Sequence, residues 1–116
     1  MNNKPKYHLF KNTRYAIDGF FYALKTESSF KLELFAAIFI MAGIVYIDTS
    51  LTNKLVLLVS GILVLIIELV NSAIENVVDL VTKDIQPLAK SAKDIGSAAV
   101  MFSVILHIIC WVCILL

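Results

Sequence analysis

The chain has 116 residues, 59% of them apolar and 16% charged, with a mean hydropathy of +0.86. That length holds one domain, and the balance is that of an integral membrane protein rather than a water-soluble globular one. The net charge of +1 says little by itself, and no nucleic-acid partner is expected. The information lies in where the charges fall.

Residues 1–6 are polar, contain Pro5 and are read as a frayed terminus. Over residues 7–27 the pattern becomes amphipathic: Ile17, Phe20, Phe21 and Leu24 recur at helical spacing. Lys11, Arg14, Asp18 and Lys25 fall mostly elsewhere on the wheel. The segment predicts a helix lying in a membrane interface, with cations beside anionic headgroups. It is not read as a signal peptide, because no short apolar core follows the basic start.

A first crossing is predicted over residues 32–48, short enough that it must tilt or continue into its flanks. Ala36, Ala37, Ala42 and Gly43 give it small faces for close helix contact. The stretch 49–53 reads as a turn. A second helix follows over residues 54–82, and its apolar half runs unbroken into acidic positions. Pro87 disfavours helix at Gln86, which makes 84–87 a loop. The third helix is predicted over residues 90–116, with Trp111 near the far interface. The expected architecture is all-α: one surface helix and three transmembrane helices.

Charge sets the orientation. Lys4, Lys6, Lys11, Arg14, Lys25 and Lys31 precede the first crossing, and Lys83, Lys90 and Lys93 lie between the second and third. Only Lys54 falls in the first connection. The positive-inside rule then puts the N-terminus and the 80–93 segment in the cytoplasm and the C-terminus outside.

The decisive stretch is Glu68-Leu-Val-Asn71-Ser72-Ala-Ile-Glu75-Asn-Val-Val-Asp79. At about 100° per residue, Glu75 and Asp79 lie within about 20° of Glu68 around the axis. Ser72 and Asn71 flank them at about +40° and −60°. One narrow stripe, about 16 Å long, thus carries all the acid of this helix. Carboxylates at bilayer depth are costly and face a bundle interior or a polar cavity, so the stripe predicts a functional site.

Glu27 and Glu33 fall at a similar level and add negative charge, which invites a divalent cation. Glu27 and Glu75 are the natural oxygen ligands, and Mg²⁺ characteristically takes one or two carboxylates plus phosphate oxygens and water. Lys93 is placed to meet the same phosphates, and Asp94 favours the start of the third helix. Those parts suffice for phosphoryl transfer, which needs mostly positioning and charge neutralisation. No Gly-rich phosphate loop of the soluble nucleotide-binding kind is present. Competing readings stand beside these: Asn71 as helix glue, Asp79 and Asp94 as solvated or capping acids, Glu27 and Glu33 as interface charges, Lys93 as a headgroup anchor. His107 is read as hydrogen-bonded within the bundle, and Cys110 and Cys113 as small apolar wall residues.

The Glu68–Asp79 signature, followed by Ala92-Lys93-Asp94-Ile95-Gly96-Ser97-Ala98-Ala99-Val100, closely resembles the small bacterial integral-membrane diacylglycerol kinases, whose Gram-positive relatives phosphorylate undecaprenol. The likeness covers nearly the whole chain. It implies a homotrimer in the bacterial cytoplasmic membrane, with ATP and Mg²⁺ used at sites shared between subunits on the cytoplasmic side. The acceptor it implies is diacylglycerol, giving phosphatidic acid, with undecaprenol as the alternative. By that likeness Glu68 matches the general base, and Glu27 and Glu75 the metal ligands. Asn71, Asp79, Lys93 and Asp94 match residues that order the site and the nucleotide phosphates, and Glu33 and Gly19 match further functional positions. Ala16 replaces a serine common in the family, His8 an arginine, and Gln86 a histidine near the nucleotide. A function from another class, a small oligomeric ion or proton transporter, would explain membrane acids. It would not explain their gathering at one end.

Overall fold

The computed structural model describes residues 8–116; the frayed terminus expected over residues 1–6, and Lys4 and Lys6 with it, lie outside the described residues. Four helices follow in order: α1 (Leu9–Thr26), α2 (Ser28–Tyr46), α3 (Leu51–Val81) and α4 (Pro87–Leu115). No strand occurs among the described residues.

A single residue separates α1 from α2. Glu27 is extended (φ −108°, ψ 103°) and serves both helices: its N–H donates to Ala23 O at 2.8 Å, and its carbonyl accepts from Lys31 N at 3.1 Å. The corner is held by an aromatic contact. Phe30, almost fully buried in the first turn of α2, meets Phe20 of α1 edge-on at 5.7 Å between ring centres. Ala23, the one fully buried residue of α1, is small enough to let the two helices approach there.

The first crossing begins before residue 32. Helix α2 starts at Ser28, so its 19 residues span roughly 28 Å, near the ~30 Å of a bilayer core. The shortness expected from sequence is resolved by extension through the N-terminal flank. The turn expected at 49–53 is also shorter than anticipated, because Ser50 caps α3. Its hydroxyl accepts from Asn53 N at 3.1 Å, and Asn53 Nδ2 donates to Thr49 Oγ1 at 2.8 Å. The cap brings Leu51 to Asn53 into the helix. Lys54 then reaches back to Val45 O at 2.8 Å, tying α3 to the end of α2.

Helix α3 has 31 residues and α4 has 29, roughly 46 and 43 Å, so each outruns a bilayer core by two turns or more. Between them Thr82 leaves the helix and its Oγ1 accepts from Asp84 N at 3.1 Å. Gln86 is extended, as a residue before proline should be, and Pro87 opens α4 at a position where its missing N–H costs nothing. Three helices (α2, α3 and α4) are long and apolar enough to cross a membrane.

The interior is the inverse of a soluble core. Ala23, Phe30, Ile44 and Leu57 are the buried apolar side chains among the described residues, beside the buried polar Ser60, Glu68, Asn71, Ser72 and Ser103. Phe35, Phe39, Val59 and Phe102 point outward. In lipid an apolar exterior costs nothing, and polar groups are what gain from facing another helix.

The antiparallel pair α3 and α4 packs through two reciprocal close approaches. Gly96 of α4 receives the Asn71 side chain, leaving no room for a Cβ, and Gly61 of α3 receives the His107 ring, whose Cε1 would lie 3.2 Å from an added Cβ. Each glycine seats one polar side chain of the opposite helix.

Candidate active site

Helical periodicity carries the acid stripe of α3 inward. Glu68, Asn71 and Ser72 are all buried, and Glu75 and Asp79, further along the same face, are partly so. Glu68 is only 6% exposed, which for a carboxyl in an apolar helix requires a partner. Its nearest carboxyl is that of Glu33 of α2, and Glu75 and Glu27 also lie close enough for their charges to act on Glu68. Four of the predicted residues thus share one locus. Two carboxyls that close need a proton or a cation between them. Glu33 Oε2 is buried with no hydrogen-bond partner among the described residues.

Asn71 Nδ2 donates to Glu75 Oε1 at 3.1 Å, one helical turn away, and so orients that carboxylate. Its Oδ1 is buried without a partner and lies against Gly96. The amide thus couples α4 to the acidic face of α3. The glue and site readings of Asn71 coincide here: one side chain packs the helices and aims Glu75.

A turn further on, Lys93 Nζ of α4 meets Asp79 Oδ1 of α3 at 2.6 Å, with both side chains about two-fifths exposed. Asp94 goes elsewhere. It pairs with Lys90 at 2.6 Å on an exposed face of α4, one turn apart along the same helix, and does not join the carboxylate cluster. Gly19 lines a cleft of about 440 Å³ between α1 and α3, together with Ala16, Ala23, Glu27, Ser72 and Asn76. An adjoining open cleft of about 690 Å³ runs past Tyr22, Asn76, Asp79 and Lys83. The two share Tyr22 and Asn76 and lead from the Glu27 corner to the Asp79 end.

Among the described residues no group of three or more His, Cys, Asp or Glu side chains is arranged to hold a metal by itself. A magnesium ion would therefore rely on Glu27 and Glu75 for one or two oxygens and on phosphate and water for the rest, the coordination that ion favours. The clustered carboxyls and the orphaned Glu33 oxygen fit a cation.

The chain is matched by the family model described as prokaryotic diacylglycerol kinase over residues 14–115. It belongs to that family. Among curated proteins it is 36% identical over 108 residues to the diacylglycerol kinase of Escherichia coli strain K12, covering 93% of this chain and 88% of that one. It is 35% identical over 104 residues to the diacylglycerol kinase of Pseudomonas aeruginosa, covering 90% and 85%. It is 34% identical over 103 residues to that of Helicobacter pylori, covering 89% and 80%. As a prokaryotic diacylglycerol kinase with three apolar helices of crossing length, the chain is a membrane protein.

Asn76, Tyr22 and Gly96 were not singled out as site residues in the sequence. Asn76 stands one position past Glu75, off the acid stripe, and earns its place only because α1 folds over that side of α3. Gly96 could have been suspected, since a glycine inside a 29-residue helix costs stability unless something needs the space.

Proposed function

We propose that this prokaryotic diacylglycerol kinase transfers the γ-phosphoryl group of ATP to the hydroxyl of diacylglycerol, giving phosphatidic acid at the cytoplasmic face of the inner membrane. The observation that carries the reading is the depth gradient of polar groups along α3. Glu68 is buried at the apolar end, Glu75 follows, and the Asp79–Lys93 pair stands at the end that outruns the bilayer. A lipid hydroxyl reaches the first from the bilayer, and a nucleotide reaches the last from water.

In the reaction the lipid oxygen attacks the γ-phosphorus, forming one P–O bond as the bond to the β–γ bridging oxygen breaks and ADP leaves. Glu68, as carboxylate, takes the hydroxyl proton. Glu33, beside it in the carboxyl cluster, positions it. Glu75, aimed by Asn71, and Glu27 at the α1–α2 corner would hold Mg²⁺, which when bound neutralises phosphate charge. Lys93 supplies a cation for the phosphates, with Asp79 fixing its ammonium. Asp94, on the exposed face, is assigned to the nucleotide's approach. The clefts along α1, one of them lined by Gly19, receive the nucleotide. The subunit assembly is proposed to be a homotrimer, in which neighbouring copies cover the apolar outer faces, with the N-terminus cytoplasmic and the C-terminus outside.

The test is transfer of labelled γ-phosphate from Mg·ATP in mixed micelles, with diacylglycerol and undecaprenol offered separately. Phosphatidic acid as the main product supports the reading. Undecaprenyl phosphate keeps the mechanism and changes the acceptor. A folded sample that labels neither lipid overturns it.

A further inference from the structure

Past Gly96 the polar side chains of α4 are Ser97, Ser103, His107 and Trp111, the two cysteines aside. A helix so apolar has little to fix its rotation or its depth against a neighbour, because lipid solvates its aliphatic faces as well as another helix does. The connection does not fix them either. The five residues between α3 and α4 reach about 17 Å when extended, well beyond the ~5 Å of a one-turn slip. Selection of one pairing falls to polar contacts and close approaches. Among the described residues two side-chain hydrogen bonds join α3 to α4: Lys93 to Asp79 at the charged end, and His107 to Ser60 in the apolar half.

The second of these is built with no group left over. Trp111 Nε1 donates to His107 Nε2 at 3.0 Å, which leaves the ring proton on Nδ1. Nδ1 donates it to Ser60 Oγ at 2.7 Å, and the Ser60 hydroxyl donates onward to Leu57 O at 3.1 Å. Every donor has its acceptor with the ring neutral. The ring itself sits where Gly61 has no side chain: an added Cβ would lie 3.2 Å from Cε1. Hydroxyl, glycine, imidazole and indole thus fit together in one relative position of the two helices.

Spacing singles that position out. Ser60 precedes Asn71 by eleven residues, and His107 follows Gly96 by eleven, about three turns of each helix. The helices run antiparallel, so seating Asn71 on Gly96 brings His107 to Ser60 at the same time. A slip of one turn sets Asn71 opposite Ala92 or Val100, and His107 opposite Val56 or Val64. At those levels no glycine leaves room for the ring and no hydroxyl accepts from it. The slipped ring keeps a buried N–H without an acceptor, and the Asn71 amide meets a side chain where Gly96 has none.

We propose that Ser60, Gly61, His107 and Trp111 form a register lock, and that His107 is a positioning residue for the reaction from a place remote from the carboxylates. Lys93 lies fourteen residues from His107, about 21 Å along α4. A helix transmits a slip along its length undiminished, so one turn moves Lys93 about 5 Å relative to Asp79 and to the phosphates it meets. The lock's part in the reaction rests on the lipid-kinase reading, whereas its part in helix pairing does not. ATP, held through Lys93, selects chains that are in register, and its apparent affinity falls in proportion to their fraction. An interhelical hydrogen bond in lipid favours one arrangement by a factor of about three to fifteen, and the loss of register is expected on that scale.

Register is read by disulfide formation. Val64 and Ser103 stand seven residues from Asn71 and Gly96, and so opposite one another by the same count; Val100 and Leu106 lie about one turn to either side of Ser103. In a full-length chain with Cys110 and Cys113 changed to alanine, a cysteine at 64 is paired with one at 103, 100 or 106 and oxidised with iodine in micelles. The 64–103 pair should dominate, and His107→Leu should raise the other two relative to it by about threefold to fifteenfold. An unchanged ratio in folded His107→Leu overturns the lock. Ser60→Ala, which leaves the ring on Gly61 without its acceptor, should shift the ratio in the same direction and decides the matter should His107→Leu not fold. The second arm measures phosphoryl transfer against Mg·ATP concentration. The KM for ATP should rise by that same factor in His107→Leu while kcat at saturating ATP holds, because bound nucleotide draws α4 back into register. A fall in kcat with the KM for ATP unmoved is the mark of a merely destabilised chain, and overturns the positioning role. The readings fail separately: a shifted disulfide pattern in a chain that transfers no phosphate sinks the kinase reading alone, and transfer with an unshifted pattern sinks the lock alone.

Discussion

Replacing Gly96 by alanine tests whether the α3–α4 seam aims the carboxylates. The added Cβ would fall well inside contact distance of Asn71 Oδ1 and 3.1 Å from its Cγ. Asn71 is buried and its Nδ2 is committed to Glu75 Oε1, so the amide cannot swing away without releasing that carboxylate. Relief requires a shift of about 1 Å, either in the amide or in the helix separation. A misplacement of that size at a positioning group costs on the order of a hundredfold in rate. The overpacking itself costs about 1–3 kcal/mol of stability. The assay is phosphoryl transfer to diacylglycerol under saturating and limiting ATP, alongside thermal unfolding in detergent. We expect kcat to fall about a hundredfold with a smaller change in the KM for lipid. Asn71→Ala in the same background should restore the stability, because the clash is gone, without restoring the rate, because Glu75 is no longer aimed. If Gly96→Ala stays within twofold of wild type in both rate and stability, the seam does not position the site.

Three further outcomes follow from the same geometry. Glu75→Gln removes the carboxylate that Asn71 orients; most activity and its dependence on magnesium concentration should be lost together, and wild-type-like rates in a metal titration would sink the ligand assignment. Lys93→Met leaves Asp79 without its 2.6 Å partner, yet the pair is two-fifths exposed and screened by solvent, so unfolding should barely shift while the KM for ATP rises about tenfold. An unchanged KM would reduce the pair to a structural strut. Cys110→Ala removes a half-buried thiol remote from the carboxylates, and turnover measured in the same micelles should stay near normal.

The acid stripe was legible because two independent signals agree on it. Helical periodicity puts Glu68, Glu75 and Asp79 on one face, and the cost of burying them in lipid demands a partner. The boundaries were less so. The start of α3 moved by three residues because a serine cap and an asparagine–threonine bond in the turn are local events that hydropathy does not register. Helix α2 reached back to Ser28 because the corner at Glu27 is held by Phe20 and Phe30, a contact between residues that a periodicity reading assigns to separate elements.

What sequence could not supply is which groups meet across helices. Asp79 and Lys93 are 14 positions apart and Ser60 and His107 are 47 apart, and nothing in their spacing selects those pairings over others. The structure selects them through the two glycines. Because Gly96 admits Asn71 and Gly61 admits His107, the register of α4 against α3 is fixed at two points about 15 Å apart along α3. Lys93, just under one turn before Gly96, then has Asp79 as its reachable acid, and Asp94, next along the chain, is rotated about 100° away and left to Lys90. The same register that completes the charged end of the site seats the His107 imidazole against Gly61. Both contacts are thus consequences of a single helix pairing, so a substitution at either glycine should disturb the Asp79–Lys93 pair and the His107 seat together.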